Sequence, residues 1–509
     1  MAGVQAATPD LPAANPRVPL GPLGAEAELI TREGESQDAW QRKALRVTRV
    51  SPGPAQRAGL QPGDVLLSPE PKDGQPGTPL RRFMLFLHGA QAAAGGKDGL
   101  VSVPLRIKRG EREETLPLQL PVLAPHAKEC PLGCAACQTL LAGSLDWLAA
   151  QCKGYRAPRA FDQFNRGPFY VGRASGGQVV VTARAYTVAV TAVAGLAFLA
   201  AGESPKQGPH AEALAGCREY VAMAVQTWRL TPAEAGGLVE QNFENWALGY
   251  AGLFLGECLA REPADPALRK TLAWVAERLG ANQEPSGGWG HEPHKTNNLG
   301  YRELAAPGLI ALPALGVLKA QGLAVPEKEL ALGVQYLLKL QEGNGGLAYS
   351  HEKTGLSQVG RTGGFLWALA LSGNARESLA WKRAEAFLLA HPEHALYGHG
   401  SALMNLVWSG WGAQVLGAQA QEKLWAAHHY LVWAARRPDG SFAPLHRQEI
   451  AYMGKQGVPI AAPKDGDSEQ YLGIGEGKAV AVWIASHHLI FWQTPLGKLS
   501  WMAGTGVKR

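Results

Sequence analysis

The sequence carries little charge, and that charge is spread evenly along the chain. Charged residues make up 18% of the 509 positions, and the formal net charge is +6 at pH 7. Lysine and arginine do not run together, so the composition does not indicate a nucleic-acid partner or an anionic membrane surface. A long apolar stretch, AYTVAVTAVAGLAFLAAG, follows Arg184 and alternates with charged segments of similar length. It predicts a buried helix, not a transmembrane segment.

The N-terminus lacks the basic and then apolar regions that mark a secretory signal. We predict that residues 1–17 are a flexible N-terminal segment. Two locations stay open: the cytoplasm, or the periplasm or extracellular space if a leader has been removed.

Cysteine is scarce, with six residues, but three of them fall close together. The loop HAKECPLGCAACQ contains His126, Cys130, Cys134 and Cys137. Their spacing allows four ligands of a structural zinc ion. The same thiols can instead stay reduced or form disulfides, with Cys152 as a further partner, if the protein is exported. Apart from this candidate zinc site, the sequence indicates no cofactor.

Residues 18–123 are rich in proline, glycine and short β-type runs. Arg46 to Ser68 is typical of a strand, a turn, a one-turn helix that ends at Gly59, a turn at Gly63 and a second strand. The stretch contains GPA, AGL and GDVLL in that order. These motifs closely resemble those of PDZ domains attached to bacterial proteases, and a hairpin turning at Gly110 completes the match.

The resemblance implies a groove for an extended peptide or a protein C-terminus, whose carboxylate is bound by backbone N–H groups. The matching loop precedes the first strand, within PLGPLGAEAEL. The predicted peptide-binding residues there are Gly21, Leu23 and Gly24. Pro22 departs from the pattern because proline has no N–H. Peptide capture therefore stands beside a second interpretation, a PDZ-like module retained for packing against the helical part.

After a Cys-rich linker at residues 124–138, the chain becomes alanine-rich and helical. Apolar residues spaced by three and four predict twelve helices in six pairs. The predicted ranges are 138–152, 178–202, 208–228, 240–262, 265–282, 299–321, 326–341, 358–373, 376–390, 399–418, 420–436 and 473–493. We therefore predict one all-α domain over residues 139–509.

Three of these helices end in the same pattern. Gln283, Gln341 and Arg437 are each followed by a glycine turn and then by an apolar or aromatic residue, such as Trp289. We expect the side-chain amide to cap free carbonyls at the helix end, and the aromatic residue to pack between neighbouring pairs. The pattern resembles the QW repeats of the α/α-toroid superfamily, which includes terpenoid cyclases and protein prenyltransferases.

The resemblance implies an (α/α)6 toroid with QW-like turns. The whole chain, a small β-rich PDZ-like domain followed by this toroid, resembles an uncharacterised bacterial family that joins the two. Members of that family are usually exported, which favours a removed leader.

In such a toroid, the loops from outer to inner helices gather at one mouth of the central cavity. Half of the 14 histidines fall in these predicted loops. The candidate functional residues are His399, Tyr397, His291, His351 and Arg361. Helix N-termini carry partial positive charge, so the mouth suits an anionic or polyhydroxylated ligand.

The sequence contains no DxDD, DDxxD or GCGEQ motif, so the catalytic signatures of known toroid proteins are missing. A set of His, Tyr and Arg can instead support proton abstraction and charge stabilisation on a sugar such as a uronic acid. Two functions stay open. One is a binding or scaffold protein, or an enzyme of unassigned reaction, that uses the peptide groove and the polar cavity. The other is a lyase- or hydrolase-like enzyme that acts on a glycan or an isoprenoid.

Overall fold

The computed structural model describes most of the chain. The described residues are 17–30, 44–69, 79–93, 99–122, 131–152, 171–174, 177–181, 183–226, 238–241, 243–294, 303–352, 357–373, 376–399, 401–443 and 478–503. They fall into two compact units, one within residues 1–144 and 428–456, the other within 145–427 and 457–509.

The first unit is built on a six-stranded antiparallel sheet whose strands neighbour each other in chain order. The strands are β1 (Arg17–Pro19), β2 (Ala25–Ile30), β3 (Ala44–Val50), β4 (Val65–Leu66), β5 (Leu100–Arg109) and β6 (Arg112–Pro121). Two helices accompany them, α1 (Pro54–Arg57) and α2 (Pro79–Ala93). The predicted strand, one-turn helix and strand are confirmed, as is the hairpin at Gly110, whose φ is 58°.

The core of this unit follows the two-residue period of its strands. Val103, Leu105 and Ile107 of β5 are buried, while the residues between them are exposed. The turn before β4 is fixed by Asp64, which is 1% exposed. Its carboxylate accepts hydrogen bonds from Arg109 Nε and Nη2, at 2.8 and 2.7 Å. This pair holds the turn against the end of β5.

The second unit is helical. The remaining helices of the described chain are α3 (Ala135–Cys152), α4 (Ala183–Ala200), α5 (Ala211–Gln226), α6 (Glu244–Arg261), α7 (Pro266–Ala281), α8 (Ala305–Ala320), α9 (Glu327–Lys339), α10 (Val359–Leu371), α11 (Leu379–Ala390), α12 (Ala402–Leu416), α13 (Ala418–Ala435), α14 (Lys478–Gln493) and the one-turn α15 (Ser500–Ala503). Each of the twelve predicted helices is present. Helices α3 and α13 contribute residues to both units.

Six of these helices form a closed ring. In the order α4, α6, α8, α10, α12 and α14, each packs against the next, and α14 packs against α4. Helices α5, α7, α9 and α11 pack against the inner helices that precede them in the chain. The predicted closed α/α toroid is therefore confirmed, because its first and last inner helices meet.

The burial of the two kinds of helix agrees with their sequence patterns. Inner helix α8 is apolar on all sides, and residues 305–318 are all buried. Outer helix α9 buries one face, which includes Leu330, Val334 and Leu337. The apolar stretch in α4 is buried, as predicted. No helix in the described part of the chain is both long and apolar enough to cross a membrane.

The QW-like turn has a structural role. Trp289 is fully buried, and its Nε1 donates to the Leu279 carbonyl at 2.8 Å. Gln283 Nε2 donates to the carbonyls of Gly287 and Glu329, at 2.9 and 2.7 Å. The glutamine of the next repeat makes two equivalent bonds. The amide thus links its own turn to the next outer helix, whereas the sequence predicted a cap on its own helix.

Residues 177–181 correct the sequence prediction, which began a helix at residue 178. They form strand β8 (Gly177–Val181), which pairs antiparallel with β7 (Val171–Ala174) and parallel with β9 (Leu238–Gln241). Three consecutive valines favour extended backbone because β-branched side chains restrict the helical rotamers. The following helix therefore begins at Ala183.

Candidate ligand site at the mouth of the ring

The loop predicted to bind a peptide is a short 3-10 helix, Gly21–Leu23, in the first unit. Gly21 and Gly24 have φ angles of 54° and 72°, which glycine adopts most easily. Two of its backbone N–H groups donate within the loop, Leu23 to Leu20 and Gly24 to Gly21, both at 3.3 Å. These amides therefore already have acceptors.

Other residues of the first unit cover this loop. A Cβ added to Gly21 would lie 2.5 Å from the Trp433 carbonyl oxygen, and one on Gly24 would lie 3.4 Å from Pro438 Cγ. The Trp433 ring also lies 4.6 Å from that of His88 on α2. Strand β1 pairs with residues 26–28 of β2. Peptide capture at Gly21, Leu23 and Gly24 stays a prediction, and it requires this packing to open.

The second predicted site lies where the inner helices begin. The backbone N–H of Ala305 donates to the Tyr349 carbonyl at 3.0 Å, and that of Gly360 donates to the Tyr397 carbonyl at 2.7 Å. In each case, the turn after an outer helix bonds to the start of an inner helix. The turns therefore gather at this end of the ring, which we call the ring mouth.

His399 lies at the centre of an aromatic group in the ring mouth. Its ring centroid is 5.7 Å from Trp246, 5.4 Å from Tyr349 and 5.7 Å from His291. We call these four residues, together with Arg361, the mouth cluster. Residues from three widely separated turns and the first turn of α6 thus meet, as the toroid predicts.

The backbone of His399 is held, while its ring nitrogens are not. Its N–H donates to Asn405 Oδ1 at 2.8 Å, and Asn405 Nδ2 donates to the Leu396 carbonyl at 3.0 Å. The Nδ1 atom is buried, and neither ring nitrogen bonds to another residue in the described ranges. Burial lowers the pKa of His399 well below 6.5, and its electrostatic interactions with the His291 imidazole and the Arg361 guanidinium lower it further. The ring is therefore neutral at pH 7.

His291 is held more tightly. Its Nδ1 accepts a hydrogen bond from Trp246 Nε1 at 2.8 Å, and its ring lies 4.8 Å from that of Phe243. Burial lowers its pKa to about 4. Asn245 Nδ2 donates to the carbonyls on both sides of His291, at 3.0 and 2.8 Å. Phe243 has a φ of 49°, a strained conformation for a residue other than glycine and one that is concentrated at functional sites.

Arg361 connects two of the turns. It is 1% exposed, and its Nε donates to the Leu347 carbonyl at 3.2 Å. Its Nη1 donates to Gln358 Oε1 and to the Gly398 carbonyl. Its guanidinium lies 5.5 Å from the centre of the Tyr349 ring. Burial lowers the pKa of Arg361 to about 10, so the group stays charged at pH 7.

Two predicted residues lie outside this cluster. Tyr397 is buried, and its ring lies 5.7 Å from that of His394. His351 is exposed on the turn after Tyr349, and no ring contact joins it to the mouth cluster among the described residues. Of the five candidates, His399, His291 and Arg361 are brought together. Their functional roles stay predictions.

Sequence reasoning missed Trp246, Asn245, Asn405 and Phe243. Trp246, Asn245 and Phe243 stand in NFENWALGY, inside the predicted helix 240–262. Because that helix begins at Glu244, Trp246 falls on its first turn and reaches the ring mouth. A large aromatic residue in a helix usually belongs to the core, so the sequence did not indicate that Trp246 also contacts the histidines of the mouth cluster. The start of the helix was the missing signal.

The zinc prediction involves residues that are only partly described. Cys134 and Cys137 are buried at the start of α3, while His126 and Cys130 lie outside the described residues. Within the described ranges, no group of three or more His, Cys, Asp and Glu side chains is arranged to hold a metal ion. Interaction with the Cys152 thiol and burial raise the pKa of the Cys217 thiol. The zinc site stays a prediction.

No curated protein matches the chain. A type II terpene cyclase from Scytonema, solved in complex with merosterolic acid A, is 16% identical over 71% of this chain and 99% of its own, with a TM-score of 0.40. Unsaturated glucuronyl hydrolase from Bacillus sp. GL1 is 15% identical over 69% of this chain and 95% of its own, with a TM-score of 0.42. The toroid itself rests on the helix contacts described above.

A family model matches residues 178–459, which is more than half of the 509 residues and includes the whole mouth cluster. The chain belongs to this family, which is described as Domain of unknown function (DUF6288).

Proposed function

We propose that the ring mouth binds an acidic glycan, one that contains uronic acids, and that His399 accepts a proton from it. The observation that carries the proposal is the state of the His399 ring. It is neutral and half-buried between two aromatic rings, and its nitrogens make no hydrogen bond within the described residues. Such a ring can accept a proton once a ligand lies beside it.

The aromatic and polar surroundings favour a sugar over an isoprenoid. The ring of Trp246 is buried, while that of Tyr349 is partly exposed and suits the C–H face of a sugar ring. Near them, the buried Tyr250 hydroxyl also lacks a partner among the described residues. Ligand sites of this kind combine aromatic walls with a few placed polar groups. A hydrocarbon ligand would leave such groups unsatisfied at a cost in free energy.

The electrostatics favour an acidic ligand. Arg361 is charged, while His291 and His399 are neutral at pH 7. Helices α6, α10 and α12 begin at this mouth and direct their partial positive charge toward it. An anionic ligand beside His399 would raise the pKa of its imidazole, because an opposite charge favours the protonated form.

The chemistry that fits one base is elimination. His399 would take the proton from the carbon next to the uronate carboxylate, and the electron pair of that C–H bond would form a carbon–carbon double bond. The bond to the neighbouring sugar oxygen would break, and His399 would return its proton to that oxygen. Two-carboxylate glycoside hydrolysis is less well supported, since no carboxylate of the described residues is among the groups that shift the pKa of His399.

The test is a binding and turnover screen with matched ligands. Oligosaccharides of glucuronic or galacturonic acid are compared with neutral oligosaccharides of the same linkage and with geranylgeraniol. The proteins are wild type, His399→Ala and, as a matched control on the same rim, His351→Ala. We expect the acidic sugars alone to bind, and His399→Ala to weaken binding at least about tenfold while His351→Ala does not.

Turnover would be seen as the ultraviolet absorbance of an unsaturated uronate. Binding of geranylgeraniol in preference to the sugars, or equal affinity of both histidine variants for the acidic sugars, would contradict the proposal.

For the first unit, we propose a PDZ-like module over residues 18–123 that serves packing. The covered loop at Gly21 supports this interpretation over peptide capture. The same proposal includes a linker at residues 124–138 and a toroid domain at residues 139–509.

A further inference from the structure

The two imidazoles of the mouth cluster differ in how their ring nitrogens are bonded. His291 Nδ1 lies 2.8 Å from Trp246 Nε1. An indole N–H can only donate, so His291 Nδ1 must accept and carries no hydrogen. The hydrogen of a neutral imidazole then lies on Nε2. His399 has no such partner within the described residues, and its tautomer is not fixed in this way.

The surroundings hold the His291 ring in this arrangement. Asn245 binds the carbonyls of Gly290 and Glu292, so the backbone on both sides of His291 is held. The Trp246 ring is nearly parallel to that of His291, with centroids 6.0 Å apart. Because Trp246 lies on the first turn of a buried helix, its N–H direction is set by the fold.

We infer that Trp246 is a positioning residue that fixes His291 as the Nε2–H tautomer, a permanent hydrogen-bond donor. This division of roles rests on the proposed function. With its Nδ1 occupied and its Nε2 protonated, His291 cannot accept a proton from the ligand. His399 is then the imidazole of the pair that accepts it, and His291, 5.7 Å away, can only donate.

Such a division gives a ligand one orientation. A pair of imidazoles that could each donate and accept would allow a sugar hydroxyl to bind in two ways. With His291 as a fixed donor and His399 as the acceptor, only one of these two orientations is favourable. The other would place a hydroxyl hydrogen against the N–H group of His291. Fixation of the His291 tautomer by Trp246, which we call the tautomer lock, therefore contributes to the specificity for one ligand orientation.

The test reads the tautomer directly and needs no ligand. The protein is labelled with 15N-histidine, and the His291 signals are assigned by their loss in His291→Gln. In wild type we expect a protonated Nε2 and an unprotonated Nδ1 at pH 7. In Trp246→Phe, which keeps an aromatic ring but removes the donor, we expect the ratio of the two tautomers to shift by about five-fold toward the Nδ1–H form.

The matched control is Trp408→Phe. The Trp408 ring is stacked 6.4 Å from that of Trp246, but its Nε1 bonds to no described residue. The same substitution there should leave the His291 tautomer unchanged. A wild-type His291 that carries its hydrogen on Nδ1, or equal shifts in both variants, would overturn the inference.

The wild-type spectrum alone decides the tautomer, even if Trp246→Phe fails to fold. If the lock is present but no acidic glycan binds, the proposed function fails and the positioning role of Trp246 stands. If the glycan binds while His291 is a tautomer mixture, the positioning role fails and the function stands.

Discussion

The loop at Gly21–Gly24 and the ring mouth were both predicted to bind ligands, and they differ in what already contacts them. In the loop, backbone amides find acceptors within the loop, and Trp433 and Pro438 cover it. In the ring mouth, His399 is half-buried and its ring nitrogens have no partner among the described residues. A binding motif thus indicates a surface, but only the fold decides whether that surface is open.

The largest expected effect is a test of the covered loop. In Gly21→Ala, the new Cβ would lie 2.5 Å from the Trp433 carbonyl, at a φ of 54° that alanine rarely adopts. We expect chemical denaturation to show a loss of about 3–5 kcal/mol in the free energy of unfolding.

The control is Gly59→Ala. Gly59 also has a positive φ, 80°, but a Cβ there meets nothing within 4 Å. It should cost only about 1–2 kcal/mol, the cost of the backbone conformation. Equal costs at the two positions would mean that the loop is not covered, and would restore peptide capture.

The next largest effect is a loss of stability at low pH that comes from His291 in the ring mouth. His291 has a folded pKa of about 4, below its ordinary value of 6.5. Below pH 6.5, His291 is protonated in the unfolded chain but stays neutral in the folded protein. The free energy of unfolding therefore falls as the pH is lowered to about 4. The loss from this residue should reach about 3 kcal/mol. His291→Gln should remove that part of the pH dependence, and parallel curves for the two proteins would disprove it.

A smaller loss of stability is expected when Arg361, which connects two turns of the ring mouth, is replaced. Arg361→Met removes the hydrogen bonds to Leu347, Gln358 and Gly398, and should cost about 2 kcal/mol. Because the Arg361 charge lowers the pKa of His399, NMR titration should show that pKa rising toward 6.5.

The matched control is Arg376→Met, which removes a guanidinium 5.7 Å from the Trp381 ring. It should cost about 1 kcal/mol or less and leave His399 unchanged. A His399 pKa that is the same in both variants would mean that Arg361 does not act on it.

The regular parts of this fold could be predicted from sequence because their signals are local. The apolar spacing marks each helix, and the Gln283–Trp289 turn repeats in the chain. The strand at 177–181 was missed because the apolar spacing continued into it, whereas its three valines favoured extended backbone. A window of neighbouring residues cannot decide between two such signals when each is weak.

The sites were predicted less completely, for reasons of distance along the chain. The repeat placed His291, Arg361 and His399 at one mouth, since equivalent turns of a ring must gather. Trp246 was missed because its part in the site depends on where a helix begins. Gly21 is covered by Trp433, which lies more than 400 residues later in the chain. A pattern of neighbouring residues cannot predict a contact over such a distance.

The most direct test of the ring mouth is proton uptake on binding. Calorimetric titration of an oligouronate near pH 7 is repeated in two buffers that differ in ionisation enthalpy. We expect wild type and His351→Ala to take up a fraction of one proton per site, because the bound carboxylate raises the pKa of His399. His399→Ala should take up none. Binding without proton uptake in wild type, or equal uptake in His399→Ala, would contradict the claim that the bound carboxylate lies beside the His399 ring.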